Sequence, residues 1–179
     1  MKEPVEKEVN IINLAAEGDE NACQKILNLY KGRIFSYTYR IVRNYHDAED
    51  ITFETFIRCF KSLDSFDINR PFATWLFTIA HNLVIDFFRK NRQEYEYLDE
   101  KHASTDNFVQ EFEKKQKFEK IEKAIAKLPP LDREIVVLFH KEEHSYQEIS
   151  EILKIPVSTI KTRLHRARKR LRELIQGNG

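Results

Sequence analysis

The sequence has few of the residues that form tight turns, since only 4 of its 179 residues are glycine and 5 are proline. Average proteins contain about 7% glycine and about 5% proline. A chain so poor in turn formers can hardly build the many corners of a β-sandwich or a barrel. Charged residues make up 33% of the chain and hydrophobic residues 41%. This composition predicts an all-α protein.

The sequence also lacks long apolar runs and clustered cysteines. Its densest apolar run is Ile135–Phe139, whereas a membrane helix needs about 18 apolar residues. The first eight residues, Met-Lys-Glu-Pro-Val-Glu-Lys-Glu, lack the apolar segment that is typical of a signal peptide. The two cysteines, Cys23 and Cys59, have no metal-ligand spacing and indicate no disulfide framework. We therefore expect a cytoplasmic protein with no membrane insertion, no cofactor and no metal.

The charges are strongly segregated, although the net charge is only +1. Residues 93–113 carry seven acids and one base, whereas residues 154–172 carry eight bases and no acid. A basic segment of this kind is typical of a polyanion-binding face, because lysine and arginine displace counterions condensed on phosphates. We predict two helical domains, at residues 8–92 and 117–176, joined by an acidic linker at residues 93–116.

Apolar residues recur at helical spacing over residues 10–45, with predicted interruptions near Gly18 and Gly32. Further helices are predicted over residues 47–63, 72–92, 114–127 and 131–141. The helix from residue 47 is expected to turn five apolar residues inward: Ile51, Phe53, Phe56, Ile57 and Phe60. Polar residues before Pro71 indicate a loop, and Pro71 suits the first position of the helix that follows.

A two-helix motif occupies residues 145–169. Ser145 and Glu148 have the spacing of a capping box, which begins a helix that Pro156 ends. The next helix has Ser158 or Thr159 as its expected N-cap. Its predicted buried stripe consists of Ile160, Leu164, Ala167 and Leu171. Two helices joined by a short break, the second apolar on one side and basic on the other, are typical of a helix-turn-helix.

The outward side of this second helix has the residue types that contact duplex DNA. Such side chains hydrogen-bond base edges near the start of a helix and phosphates further along it. The candidate DNA contacts are Ser158, Thr159, Lys161, Thr162, Arg163, His165, Arg166 and Lys169. The alternative is a solvated basic helix resting on a core, which the absence of acids and the capped preceding helix disfavour.

Three carboxylates, those of Asp47, Asp50 and Glu54, share one face of the helix that begins at residue 47. They could ligate Mg²⁺ in a nuclease, although no companion carboxylate or phosphate-binding glycine loop accompanies them. They could also form a solvated face. The third interpretation is a docking patch for a basic partner, which the neighbouring Phe53 and Phe56 favour.

Aromatic residues are concentrated between Phe66 and Phe88, where they alternate with arginine, histidine and asparagine. More than half of these rings are expected to belong to the core. An aromatic and arginine-rich loop beside a helix can also stack single-stranded bases and hold unpaired ones.

His140 and His144 match the His-x-x-Glu-His pattern of some zinc proteases. The helix is expected to end near Lys141, so the two imidazoles would not share a helical face. No third ligand is evident, and we expect no metal here.

Three segments together resemble bacterial sigma factors of the extracytoplasmic-function (ECF, group IV) type. The first is Asp-Ala-Glu-Asp-Ile-Thr-Phe-Glu-Thr-Phe at residues 47–56, similar to the region 2 helix that docks on RNA polymerase. The second, residues 65–90 with the core Arg-Pro-Phe-Ala-Thr-Trp-Leu, is similar to the segment that melts and recognises the minus-10 element. The third is Leu-Pro-Pro-Leu-Asp-Arg-Glu-Ile-Val-Val-Leu at residues 128–138, which together with the helix-turn-helix resembles region 4, the minus-35 reader.

The resemblance implies a non-enzymatic factor that directs promoter-specific transcription, with core RNA polymerase, promoter DNA and an anti-sigma factor as partners. The implied polymerase contacts are Asp47, Asp50, Phe53, Glu54 and Phe56. The implied contacts with melted minus-10 DNA are Phe66, Asn69, Arg70, Trp75, Asn82, Asp86 and Arg89. Two other classes stay open at this point: a DNA-binding regulator with residues 1–92 as a sensor or dimerisation domain, and a helical nuclease.

Overall fold

The computed structural model describes residues 3–90 and 112–176, and the side chains of residues 8–90 and 119–176. Over these ranges the secondary structure consists of α-helices and one short 3₁₀ turn, as the composition predicts. The predicted acidic linker lies outside the described residues, except for residues 112–116. Those residues already belong to a helix, which therefore begins earlier than predicted.

The helices form two units that follow one another along the chain. The N-terminal unit consists of α1 (Glu3–Ala16), α2 (Glu20–Val42), α3 (Tyr45–Lys61), the 3₁₀ turn (Leu63–Ser65) and α4 (Phe72–Lys90). The C-terminal unit consists of α5 (Phe112–Ala126), α6 (Pro130–His140), α7 (Tyr146–Leu153) and α8 (Val157–Gln176). No helix among the described residues is long and apolar enough to span a membrane.

The predicted break at Gly18 is present, and the one at Gly32 is wrong. Gly18 adopts φ 90° between α1 and α2, a conformation that glycine tolerates best. Helix α2 continues through Gly32 without interruption. A glycine inside a helix costs about 1 kcal/mol, and the burial of Tyr30 and Ile34 on either side of Gly32 outweighs that cost.

Helix α4 begins at Phe72, as predicted, but Pro71 does not occupy its first position. The carbonyl of Pro71 accepts the first helical hydrogen bond, from the Trp75 amide at 3.2 Å. Pro71 therefore precedes the helix instead of occupying its first turn. Its rigid φ and the side chain of Phe72, which is buried in the core, together set where the helix starts.

The two units pack against each other through α2 and α4 on one side and α6 and α7 on the other. Phe77 of α4 lies at the centre, where it is fully buried. Its ring meets that of Tyr37 edge-to-face at 5.3 Å and that of His144 at 4.9 Å between centroids. The C-terminal unit therefore covers a large part of one face of α4.

Candidate nucleic-acid and partner interfaces

Helix α8 has the two-sided character that the sequence predicts. Ile160, Leu164 and Ala167 are buried against α6 and α7, while Leu171 is half-buried. The opposite side exposes basic or titratable side chains, among them Lys161, His165, Arg166, Lys169 and Arg172. An amphipathic helix with this exposed side presents a cationic surface to a polyanion.

The capping box at the start of α7 is confirmed. The Glu148 amide donates to Ser145 Oγ at 3.2 Å, and the Ser145 amide donates to Glu148 Oε2 at 2.7 Å. Lys154 ends the helix in the left-handed region at φ 55°. The Ser150 hydroxyl donates to the Ile155 carbonyl at 2.6 Å, which fixes the turn between the two helices.

The predicted N-caps of the next helix, Ser158 and Thr159, are wrong. Helix α8 begins at Val157, so both residues lie in its first turn. The Pro156 carbonyl accepts from the Ile160 amide at 3.1 Å, and this places the helix start before either hydroxyl. Ser158 and Thr159 instead line a shallow open groove at the beginning of α8, together with Asp132, Thr162, Arg163 and Arg166.

Two basic side chains of α8 are held by residues that the sequence did not indicate. Lys161 Nζ lies over the Tyr146 ring at 5.5 Å, and the Arg168 guanidinium lies over the Phe139 ring at 5.1 Å from its centroid. The two rings stack on each other at 5.0 Å. Arg163 is also held, because it donates to Asp132 Oδ1 at 2.8 Å. These contacts restrict the directions in which the cations of α8 point.

His140 and His144 contact different parts of the molecule. His140 Nε2 accepts from Arg168 Nε at 3.1 Å, and partial burial together with this guanidinium lowers the pKa of His140. His144 packs against Phe77 in the other unit. The described residues contain no group of three or more histidine, cysteine or acidic side chains arranged to hold a metal ion.

Helix α3 displays an acidic and apolar surface. Asp50 is exposed and Asp47 and Glu54 are partly exposed, with Arg58 donating to Glu54 at 2.8 Å. Phe53 has an exposed fraction of 48%, and Lys31 Nζ lies over its ring at 4.9 Å. The combination of carboxylates with an exposed aromatic ring is uncommon on a surface that only faces water.

Phe56 differs from its predicted role because it is only 4% exposed and belongs to the core. Phe53 and Ile57, expected to turn inward, lie on the exposed side instead, with Ile57 47% exposed. One stripe of side chains on α3 packs against α2 and α4, and Phe53 and Ile57 lie outside that stripe. On the neighbouring α2, Leu29 is 56% exposed, which no pattern in the sequence indicates.

The aromatic loop before α4 forms a compact cluster. Phe66 lies 4.9 Å from Trp75 and 5.4 Å from Phe72, between ring centroids. Phe72 is buried, whereas Phe66 and Trp75 are half-buried at the surface. In the adjoining turn, the Asn69 amide and side-chain nitrogen both donate to one oxygen of Asp67, which lowers the pKa of Asp67.

Two predicted DNA contacts of this region touch the C-terminal unit. Arg70 forms an ion pair with Glu151 of α7, and Asn82 Oδ1 accepts from Lys154 Nζ at 3.4 Å. Asp86 and Arg89, further along α4, pair with each other at 3.0 Å. The residues predicted to contact melted minus-10 DNA therefore lie along one face of the N-terminal unit. The C-terminal unit covers part of that face.

Beside this covered face lies a buried polar group that connects the units. Glu134 of α6 accepts hydrogen bonds from the Tyr37 hydroxyl and from His81 Nδ1, the latter at 2.7 Å. Burial and the adjacent carboxylate raise the pKa of Tyr37 well above its ordinary value. Arg33 pairs with Glu142 at 3.0 Å close by. None of these pairings is periodic in sequence, so no local pattern could have predicted them.

Two protein-family models match the chain. Residues 26–94 match Sigma-70 region 2, and residues 118–171 match Sigma-70, region 4. Among curated proteins, the chain is 40% identical over 178 residues to the ECF RNA polymerase sigma factor SigW of Bacillus subtilis, covering 92% of this chain and 95% of the relative. It is 33% identical to the ECF RNA polymerase sigma factor SigE of Mycolicibacterium smegmatis, covering 97% of this chain and 70% of that one.

Solved structures have the same fold. The sigma factor RpoE, in complex with the anti-sigma factor NepR from Bartonella quintana, matches with a TM-score of 0.73 and 25% identity, over 86% of this chain and 96% of that chain. CnrH, in complex with the cytosolic domain of CnrY, matches with a TM-score of 0.72 and 23% identity, over 96% of this chain and 99% of that chain.

Proposed function

The chain belongs to the ECF RNA polymerase sigma factors, and from this membership we propose a role for each surface described above. The protein is an alternative sigma factor, which binds core RNA polymerase and directs transcription initiation at promoters. We assign it to group IV of the family. It performs no reaction of its own, because the polymerase supplies the chemistry. It acts in the cytoplasm.

The exposed side of α3 is the proposed docking face for core polymerase. It combines the carboxylates of Asp47, Asp50 and Glu54 with the exposed ring of Phe53. Exposed apolar groups surrounded by charge are typical of protein–protein interfaces, and the acids select a basic partner. The exposed Ile57 extends this face. Phe56 supports it from the core and does not contact the partner.

The basic side of α8 is the proposed reader of duplex minus-35 DNA. Residues at the beginning of such a helix contact base edges, and residues further along contact phosphates. Ser158, Thr159, Thr162 and Arg163 occupy the first two turns, where hydroxyl and guanidinium groups face the open groove. The remaining candidates are Lys161, His165, Arg166 and Lys169. The two lysines and Arg166 supply positive charge along the exposed side, and His165 offers a hydrogen-bonding imidazole.

The loop before α4 and the exposed side of α4 are the proposed contact with melted minus-10 DNA. The half-buried rings of Phe66 and Trp75 form an aromatic surface on which a base can stack, worth about 1–3 kcal/mol per base. The Asn82 amide can pair with a base edge. Four further polar side chains complete the proposed site: Asn69, Arg70, Asp86 and Arg89.

An anti-sigma factor is a further proposed partner. The structurally similar RpoE was crystallised with the anti-sigma factor NepR, and this likeness supports an inhibitor of the same kind for the present chain. The exposed docking face of α3 and the cationic side of α8 both offer surface to such a protein.

The observation that supports this function best is that a region 2 match precedes a region 4 match along one chain. The region 4 match contains a helix-turn-helix whose first helix begins with a capping box and whose second helix is basic. Run-off transcription with purified core polymerase and a promoter library tests it, and promoter-specific transcripts are expected only when the protein is added. Specific DNA binding without transcripts would indicate an ordinary regulator. Mg²⁺-dependent cleavage of DNA by the protein alone would indicate a nuclease.

A further inference from the structure

Two aromatic rings form a stack beside the second helix of the helix-turn-helix. Phe139 lies in the last turn of α6, and Tyr146 is the first residue of α7. Their centroids are 5.0 Å apart, with an angle of 24° between the ring planes. Both rings are half-buried and pack against the core. This aromatic stack is therefore held in place by the core, while part of each ring is accessible to α8.

Each ring of the aromatic stack holds one cation of α8. Lys161 Nζ lies 5.5 Å from the centroid of the Tyr146 ring. Arg168 Cζ lies 5.1 Å from the centroid of the Phe139 ring, and Arg168 Nε also donates to His140 Nε2 at 3.1 Å. Both ring distances fall within the range of about 6 Å over which an aromatic face attracts a cation. Lys161 and Arg168 are seven positions apart, so they lie on the same flank of α8, about 10 Å from each other along its axis.

The opposite flank of α8 holds its cations differently. Arg163 and Arg166 line the open groove at the beginning of the helix. Arg163 donates to the carboxylate of Asp132 at 2.8 Å, and this negative charge offsets part of the positive charge on the guanidinium. An aromatic ring orients a cation without neutralising it, because the ring has a quadrupole and no net charge. Lys161 and Arg168 are therefore oriented by the rings and keep their full charge.

We propose that the aromatic stack positions Lys161 and Arg168 for the phosphates of duplex DNA before the DNA binds. This inference rests on the proposed function of α8, and it makes Phe139 and Tyr146 positioning residues. A long side chain that is free to move loses conformational freedom when it pairs with a phosphate, which weakens binding. The aromatic stack imposes most of that loss in the free protein. The flank beside the stack is therefore assigned to phosphates of one DNA strand, and the groove flank to base edges.

Two substitutions of Tyr146 in the full chain test the positioning. Tyr146→Leu removes the ring and keeps an apolar side chain on the core, whereas Tyr146→Phe keeps the ring and is the matched control. Duplex affinity is measured by the anisotropy of a labelled duplex of random sequence, and folding by thermal unfolding. Proton NMR of the Lys161 ε-methylene group reports the ring contact directly, because the ring current of Tyr146 shifts this resonance upfield.

We expect Tyr146→Leu to weaken duplex binding about two- to fivefold, the size of the effect of an exposed cation–π contact. Tyr146→Phe should leave the affinity unchanged. The upfield shift of the Lys161 resonance should disappear only in the leucine variant. In the unchanged protein the shift should persist when the duplex is bound. Loss of the shift on binding, or tighter binding by Tyr146→Leu, would overturn the inference, because the ring would then hold the cation away from the DNA.

A double-mutant cycle distinguishes positioning from a purely structural role of the ring. Lys161→Gln removes the charge at an exposed position. If the ring acts through this cation, adding Tyr146→Leu to Lys161→Gln should cause no further loss of duplex affinity. An equal loss in both backgrounds would overturn the inference. Phe139→Leu with Arg168→Gln provides a second cycle on the same flank, with the same expected result.

The same measurements distinguish failure of the inference from failure of the function on which it rests. Weaker duplex binding by Lys161→Gln together with normal binding by Tyr146→Leu would overturn the positioning role and leave the proposed DNA contact of α8 in place. Normal binding by the double variant Lys161→Gln and Arg168→Gln would remove this flank of α8 from the DNA interface, and the inference with it.

Discussion

The hydroxyl of Tyr37 donates a hydrogen bond to the carboxylate of Glu134 across the boundary between the two helical units. Tyr37 is fully buried and Glu134 is 4% exposed. His81 donates to the same carboxylate oxygen at 2.7 Å. A buried carboxylate is costly unless it is fully hydrogen-bonded, so both donors from the N-terminal unit are needed to keep Glu134 in place.

Removing this carboxylate should destabilise the protein. Glu134→Ala leaves the Tyr37 hydroxyl and His81 without their acceptor, and an unsatisfied buried polar group costs about 1–3 kcal/mol. We expect urea denaturation to show a fall of that size in the free energy of unfolding. Tyr37→Phe is the matched comparison, because it removes one donor and leaves His81 in place, and its effect should be smaller. A larger loss for Tyr37→Phe would contradict the central role of Glu134.

Reversing the charge of the proposed docking face should prevent holoenzyme assembly. The double substitution Asp50→Lys and Glu54→Lys removes carboxylates that would pair with a basic partner, where loss of one member of a buried charge pair costs about 2–5 kcal/mol. Co-purification with core polymerase should be lost while the thermal unfolding curve stays close to that of the unchanged protein.

Two phenylalanines on α3 provide the control for this face. Phe53→Ala should weaken polymerase binding with little effect on stability, because its ring is exposed. Phe56→Ala should lower the free energy of unfolding by about 3–5 kcal/mol, because its ring is buried. Normal co-purification of the double lysine variant, or a stability loss for Phe53→Ala that equals that of Phe56→Ala, would contradict the assignment.

Arginines at the two ends of α8 should differ in their effect on DNA specificity. Arg163→Ala should cost about 1–3 kcal/mol and relax the preference at one base position, since Asp132 aims this guanidinium at the groove. Arg172→Ala should weaken binding to all duplexes alike and lower the salt slope by about 0.9, because one DNA phosphate is no longer neutralised. Selection from a randomised duplex pool, repeated at several salt concentrations, distinguishes the two. Equal loss of specificity from both substitutions would refute this division.

Asn82→Ala should impair promoter opening but not promoter binding. The amide is proposed to pair with a flipped base, whereas initial duplex binding relies on α8. Permanganate footprinting of the holoenzyme should therefore show fewer reactive thymines at the minus-10 element, with gel-shift affinity nearly unchanged. Asn21→Ala, at an exposed position of α2, is the control. Normal opening by the Asn82 variant would remove this residue from the strand site.

Stability should fall on mild acidification because of His144. Burial lowers the pKa of this imidazole, an effect that Glu148 partly offsets and that Arg33 reinforces. The unfolded chain therefore binds the proton more readily, and the free energy of unfolding decreases as the pH falls below about 6.5, by at most about 1.4 kcal/mol per pH unit. Denaturation between pH 7.5 and about 5 should show a shallower dependence for His144→Leu than for the exposed control His165→Leu. Identical slopes would exclude this histidine as the cause.

Local features were predictable from the sequence, and contacts between distant segments were not. The capping box of Ser145 and the buried stripe of α8 depend on residues three or four positions apart, which a periodic pattern reveals. The side of α3 that faces the core depends on what α2 and α4 present to it, so the exposure of Phe53 could not be derived. The pair of Arg33 and Glu142 joins residues 109 positions apart. A pattern of local spacing cannot predict a contact between residues so distant in the sequence.

Position 148 is subject to two separate constraints on the amino acid it can tolerate. Glu148 Oε2 accepts from the Ser145 amide to cap α7, and Oε1 accepts from Thr74 in the other unit. Aspartate is one methylene shorter and cannot span both partners, while alanine loses both at once. Glutamine has a side chain of the same length as glutamate. Its amide nitrogen can donate to the Thr74 hydroxyl while its amide oxygen accepts from the Ser145 amide. Mutational drift at this position is therefore confined to glutamate and glutamine for as long as both contacts are under selection.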